Sequence, residues 1–385
     1  MSFQGYPRKD GTVGVRNYVG VISVASCAND PANWISENIE GCVPYTQDIS
    51  CQNFEATENM FYRTFINLGK NPNLAAVLVV GPDCECSDVD RIVKGIAESG
   101  KPVASVKVHD YSTIDDLKSD GVSIALRMTR DASQISKREF PDSALRLGIE
   151  CGGSTPLSGA VTNKAMGRAL DILIANGGSG GFSETPEMIG AEHVFAQRAV
   201  SPEVGERMLE VTRRFEKRFT DAGIDLSAAN PSRQNISDGI SSLEEKSLGD
   251  MVKGGTTSLT SVLDYAEIPQ RQGMFFMDTP GNDLASMTGL AASGAQIITY
   301  STEGACPYGF PFVPVIKVTA NEKHYNRYQN ILDFLVETEK AITDIEHVSQ
   351  SLFDKILSVA SGEKTKSEIF RYYGTNKIWQ PAPIA

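Results

Sequence analysis

Histidine is scarce: the 385 residues hold only four, His109, His193, His324 and His347. A mechanism that needs several imidazoles in one site is therefore excluded. Positive charge is also in deficit, with 36 Lys+Arg against 48 Asp+Glu and a formal charge of −12. Nucleic acid and anionic membrane surfaces both require a basic footprint, so neither is expected as the main partner. No run approaches the ~18 apolar residues of a membrane helix. The start, MSFQGYPRKDG, has no apolar core of the kind a signal peptide carries, and a cytoplasmic location is expected. The cysteines number seven, an odd count scattered over a long chain. That is a poor disulfide framework and leaves thiols for packing or metal. Neither GxGxxG nor GxxxxGK[ST] is present where a phosphate cradle would need it, which leaves a nucleotide-dependent oxidoreductase without support.

What is present is ordinary globular composition, 41% hydrophobic and 22% charged, which excludes wholesale disorder. Short β-branched runs at 18–24, 74–80 and 102–108 alternate with helical patterns at 55–68 and 88–98, the second with Ser87 as its expected N-cap, and this alternation is the signal of a parallel sheet with crossover helices. A polar, proline-bearing stretch at 130–143 separates this from a second series. There, strands are predicted at 145–151, 274–278, 295–300 and 313–318, and helices at 164–176, 202–222, 325–342 and 348–360. The glycine- and serine-rich segment 230–258 reads as a long loop. The expected fold is α/β, with two open, mostly parallel-sheet, Rossmann-like domains carrying helices on both faces: a smaller one over 1–135 and a larger, catalytic one over 144–385.

Turn-rich clusters fall at predicted strand ends, where open α/β sheets hold their ligands. They are Cys84-Glu85-Cys86, Cys151-Gly152-Gly153-Ser154, Asp278-Thr279-Pro280-Gly281 and Ser301-Thr302-Glu303-Gly304. Glycines and free amides in the second, followed by Ser158 and Asn163, suit a carboxylate. The segment SETPEMIGAEH (183–193) is the densest carboxylate and imidazole cluster, with Glu184 and Glu187 three positions apart and His193 beyond. These groups suit a general base or hard metal ligands, although glutamate near a helix start is also favoured by the dipole alone. Lys246 and Lys253 put two cations in a glycine-rich stretch of an acidic chain, a pattern suited to an anionic substrate.

With these residues assembled, the chain resembles the altronate/galactarate dehydratase family, which includes the large subunit of (2R)-sulfolactate sulfo-lyase. The likeness runs from Gly5-Tyr6 and DGTVGVRN (10–17) through NPN (71–73), Cys84-Glu85, CGGS (151–154), SETPEMIGAEH, EKSLG (245–249), KGGTT (253–257) and MDTPG (277–281) to ASGEKTKSE (360–368). The resemblance implies a lyase that removes water from a small hydroxy or sugar acid to give a 2-keto acid. It implies a divalent metal, iron as Fe2+ or an iron–sulfur cluster, with Mn2+ the alternative, and Cys51, Cys84 and Cys151 at the matched thiol positions. Glu184, Glu187 and His193 follow as base or ligands. Lys246, Lys253 and Arg16 become carboxylate holders, and Asn17, Gly152, Gly153, Ser154, Ser158, Asn163, Asp278 and Thr279 become substrate contacts. A separate small subunit, equivalent to the N-terminal domain fused onto many members, is expected as a partner, together with homo-oligomerisation. Gln47 and Thr155 stand where the family has histidine and aspartate, which keeps two alternatives in view: sulfolactate desulfonation, and a non-catalytic sugar-acid or metal-binding paralogue.

Overall fold

The structure, a computed structural model, describes residues 1–49, 55–82, 84, 87–226 and 230–381, with only the backbone at 55 and 56. Its strands in chain order are β1 (Ser2–Pro7), β2 (Val13–Gly14), β3 (Tyr18–Ser23), β4 (Cys42–Tyr45), β5 (Leu74–Gly81), β6 (Val103–Lys107), β7 (Arg138–Pro141), β8 (Arg146–Cys151), β9 (Ser179–Phe182), β10 (Leu259–Leu263), β11 (Gly273–Met277), β12 (Ile297–Ser301), β13 (Val315–Thr319) and β14 (Phe334–Leu335). They form a mixed α/β fold with two parallel sheets. One is four-stranded, in the order β4-β3-β5-β6, and the other seven-stranded, in the order β10-β11-β9-β8-β12-β13-β14. A small antiparallel sheet, β2-β1-β7, uses part of the stretch expected to be a join: β7 pairs Phe140 with Phe3 of β1.

Burial explains why the strands form. In β5, β8, β11 and β12 almost every residue is buried, so both sheet faces are covered and the sequence reads as a continuous apolar run. One face of the four-stranded sheet (Val19, Val21, Leu78) packs on Ala32 and Ile35 of the helix Asn29–Ser36 and on Leu117 and Ala125 of the helix Ile114–Ala132. The opposite face (Ile22, Val77, Val79) meets Phe61, Phe65 and Leu68 of the helix Glu55–Lys70. That same core continues into Met287 and Leu290 of the helix Asp283–Ala292 and on to Phe275, Met277 and Tyr300 of the larger sheet. The two sheets therefore share one apolar interior.

Three expectations fail. The segment 325–342 is not one helix but a helix Glu322–Arg327, the edge strand β14 and a helix Thr338–Thr343, because Phe334 and Leu335 pair with Val318 and Thr319 of β13. Within 230–258, serine caps start two helices rather than leaving a loop: Ser232 accepts from the Asn235 amide ahead of Arg233–Ser237, and Ser242 accepts from the Glu245 amide ahead of Leu243–Met251. The cap expected at Ser87 is instead Asp88, whose side chain accepts from the Arg91 amide. Among the described residues no helix is long and apolar enough to cross a membrane.

Candidate active site

Strands β11, β9, β8 and β12 are adjacent and parallel, so their C-terminal ends lie on one edge. From β8 the chain moves to β9 on one side, while β12 is added on the other, which opens a crevice between the two connections. Cys151 ends β8 directly opposite Ser301 of β12. Over this edge lies a cavity of about 480 Å³ whose lining includes Cys151, Gly152, Gly153, Ser154, Glu184, Glu187, Lys246 and Asp283. Its outer wall is apolar, from Phe215, Phe219 and Leu226. A volume of this size suits a small molecule.

Glu184 stands on strained backbone, with φ +74° in the left-handed region that non-glycine residues rarely adopt. Its amide donates to Thr279 Oγ1 at 2.7 Å, the next amide donates to the Thr279 carbonyl, and Thr185 Oγ1 donates to Asp278 Oδ1 at 2.5 Å. Asp278 is clamped in turn by Arg214. Asp278 and Thr279, expected to be substrate contacts, build the turn that carries Glu184.

Lys253 lies in the tight turn after the helix Leu243–Met251, with no exposed surface. Its Nζ donates to Glu187 Oε2 at 2.5 Å and lies 3.6 Å from Glu184 Oε2. Lys246, on the helix itself, lies 3.4 Å from Glu187 Oε1 and 3.6 Å from Asp250 Oδ2. Burial pushes the Glu187 carboxyl up, but the charges of Lys253 and Lys246 outweigh it and hold the group down at about 2. Burial, reinforced by the neighbouring Glu150 and Glu187 charges, drives Glu184 well above the usual carboxylate range. Burial and the Glu187 charge raise Asp250 to about 7. The spacing of Glu184 and Glu187 thus brings two carboxyls to one lysine with opposite protonation preferences.

The other expected residues divide. Gly152, Gly153 and Ser154 line the cavity; Ser154 Oγ donates to Asp250 Oδ2 at 2.9 Å, and its carbonyl accepts from Asn235 Nδ2 at 2.9 Å. Asn163 sits one layer back, with its amide against Cys151 Sγ at 3.5 Å and its carbonyl oxygen accepting from Ser301 Oγ at 2.8 Å. Ser158 is spent on Thr155, which receives its hydroxyl at the carbonyl and donates its amide to it. His193 is exposed and does not reach the cavity. Arg16, expected to hold the substrate carboxylate, does not line the cavity: it is buried in a two-pronged pair with Glu368 at 2.6 and 2.9 Å, and it also donates to the carbonyls of Val15, Val359 and Glu363. Asn17 bridges Arg8 and the Ala132 carbonyl, away from the cavity. Gln47 folds onto its own turn, its side chain bonding both the amide and the carbonyl of Ile49.

Of the three expected thiols, Cys51 lies outside the described residues. Cys84 sits after β5, bridged to Ser87. The Cys151 thiol is buried against Asp250 and pushed up by burial and by that carboxylate. Among the described residues, the one group of three or more metal-ligating side chains that converge is made of oxygens: Glu150, Glu184 and Asp283 offer atoms within 4.8 Å of one another. Sequence reasoning missed Glu150, Asp250 and Asp283. The available signal was a carboxylate inside the apolar strand RLGIEC, which has no packing reason to be there.

Fold and site together define an α/β enzyme with a lysine-and-carboxylate centre at the C-terminal edge of a parallel sheet. The chain belongs to the D-galactarate/altronate dehydratase family: residues 142–383 match its C-terminal domain, and residues 5–133 match the second domain of D-galactarate dehydratase/altronate hydrolase. It is 32% identical to an altronate dehydratase of Bacillus subtilis over 95% of this chain and 75% of that one. It is 30% identical to galactarate dehydratase (L-threo-forming) of Escherichia coli over 100% and 77%. The (2R)-sulfolactate sulfo-lyase subunit beta of Chromohalobacter salexigens is 31% identical over 95% and 94%.

Proposed function

We infer that this chain is a lyase that removes water from a small hydroxy or sugar acid and releases a 2-keto acid. The observation that carries the reading is the pair Glu184 and Glu187, flanking one buried lysine at the cavity wall with protonation preferences driven apart. Two carboxyls separated in this way mark an acid and a base. Glu187, anionic at neutral pH, is positioned to take the proton α to the substrate carboxylate. Glu184 holds a proton for the departing hydroxyl while no cation lies against it; a bound divalent ion would displace that proton and stabilise the hydroxyl in its place. Lys246, at the cavity, faces the substrate carboxylate and the negative charge that grows on it as the proton leaves, while Lys253 keeps Glu187 ionised and in place. The apolar side chains of Phe215, Phe219 and Leu226 lower the polarity on one side of these charges. A divalent metal, iron as Fe2+ or a cluster, with Mn2+ the alternative, would supply Lewis-acid stabilisation of the leaving hydroxyl.

Release of 2-keto acid from a panel of aldonic, aldaric and sulfonated hydroxy acids, measured anaerobically with added iron, tests the reading. Turnover of a hydroxy acid is expected, with Glu184→Gln and Glu187→Gln each lowering kcat about 10²–10⁴-fold. Sulfite release would instead select the sulfolactate reading, which the high coverage of the sulfo-lyase relative keeps in view. That relative is a named subunit, and it supports the proposal that this chain also works with a small partner subunit.

A further inference from the structure

We propose that Glu150, Glu184 and Asp283 are the ligands of one hard divalent cation of the Mn2+ or Fe2+ class, seated at the floor of the cavity and bound through oxygen rather than through thiols; this rests on the dehydratase reading for its role.

The three carboxylates come from three elements that the fold brings together: strand β8, the strained turn after β9, and the first residue of the helix Asp283–Ala292. Asp283 in a first helical turn has a reason in the dipole. Glu150 and Glu184 have none. Both are at most 3% exposed, and each keeps an oxygen without a hydrogen-bond partner, Glu150 Oε1 and Glu184 Oε2. Glu184 Oε2 has the Lys253 ammonium at 3.6 Å, but Glu150 Oε1 has neither a hydrogen bond nor an ion pair among the described residues, and an unsatisfied buried carboxylate oxygen carries a large desolvation penalty, so its retention points to a missing positive partner.

The opposite oxygens are held from behind by hydroxyls. Glu150 Oε2 accepts from Ser286 and from Ser183, and Asp283 Oδ2 accepts from Tyr300 at 2.6 Å. Such outer hydroxyls orient metal-binding carboxylates and leave the other oxygen for the ion. The charges agree. Glu150, Glu184, Glu187, Asp250 and Asp283 crowd around two ammonium groups, and both of those sit closest to Glu187, at 2.5 and 3.4 Å. The triad is left with only the 3.6 Å contact from Lys253 to Glu184, a deficit that a doubly charged cation would remove. Glu184 and Asp283 also line the cavity, so the ion's open position would face the substrate. Cys151 belongs to a different cluster, with Asp250 and Asn163.

The experiment is Mn2+ titration of chelator-stripped protein, with the free ion counted by its EPR signal. One Mn2+ per chain is expected for the wild type, with affinity at least tenfold weaker in Glu150→Gln and in Asp283→Asn, and within twofold of wild type in Cys84→Ser and Cys151→Ser. Cooperative thermal unfolding qualifies each variant, and Glu150→Gln, nearly isosteric and relieved of a buried charge, decides the matter if Asp283→Asn does not fold. No bound Mn2+ in the wild type, undiminished binding in Glu150→Gln, or a visible absorption with acid-labile sulfide that the Cys variants abolish would each overturn the proposal. Loss of binding on Glu150→Gln in a protein that forms no 2-keto acid would keep the site and remove the dehydratase reading instead.

Discussion

Lys253 holds Glu187 ionised, and burial makes that control effective because charges in a water-poor pocket are weakly screened, whereas at Glu184 burial and the neighbouring carboxylates outweigh the same lysine. A second buried lysine shows the opposite balance. Lys317 in β13 has no exposed surface, and its ammonium has no hydrogen-bond partner among the described residues. Burial, only partly offset by Asp333 and Cys306, lowers it from the ordinary 10.5 to about 8. Below pH 8 both the folded and the unfolded chain carry the proton, and the cost of burying it is fully present. Between about 8 and 10.5 the folded state sheds the proton first, so this residue makes stability rise with pH there. Lys317→Met is expected to stabilise the protein at pH 7 by about 1–3 kcal/mol and to flatten that rise. Urea unfolding at pH 7 and pH 10 measures both effects.

The elements that place the site explain what could be read in advance. Strands β5, β8 and β12 announced themselves as apolar runs, and the amphipathic helices Glu55–Lys70 and Ile345–Ser361 were legible from spacing. Strand β9, which delivers Glu184, reads SGGF and has the composition of a turn. Its glycines are required by packing, since a Cβ on Gly181 would lie 2.3 Å from the Phe275 carbonyl and one on Gly180 2.5 Å from that of Leu147. The helix Asp283–Ala292 is buried on all sides from Ala285 to Ala292, so it shows no apolar stripe. Glu184 and Lys253 were legible as residue types in turns, whereas Glu150 and Asp283 became visible only once three elements met. Close packing also sets Lys253: a Cβ on Gly167 would lie 2.3 Å from the Val252 carbonyl and 2.8 Å from the Gly255 amide nitrogen. Gly167→Ala is therefore expected to cost about 1–3 kcal/mol and to lower kcat by displacing the turn that carries Lys253. Denaturant melts paired with turnover of the folded protein would show it, and unchanged kcat would mean that the turn does not position the lysine.

At the scale of the molecule, the chain ends are tied together around the shared core. Arg16, just before β3, reaches Glu368 in the C-terminal helix Lys366–Phe370, and both are buried. Removing one partner strands the other without its counter-charge, so Arg16→Ala is expected to lose about 3–5 kcal/mol. The KM of protein that remains folded should not change, because neither residue lines the cavity. A raised KM with unaltered stability would restore Arg16 to substrate binding. The function of the molecule rests on the chemistry at the β8–β9–β12 edge. Its most direct test is keto-acid release from the sugar-acid panel by metal-replete wild type and Glu187→Gln. Turnover of a hydroxy acid by the wild type, lost at least a hundredfold in the variant, is the predicted result; a folded, metal-replete wild type that forms no 2-keto acid from any member, or a Glu187→Gln variant as active as wild type, would contradict it.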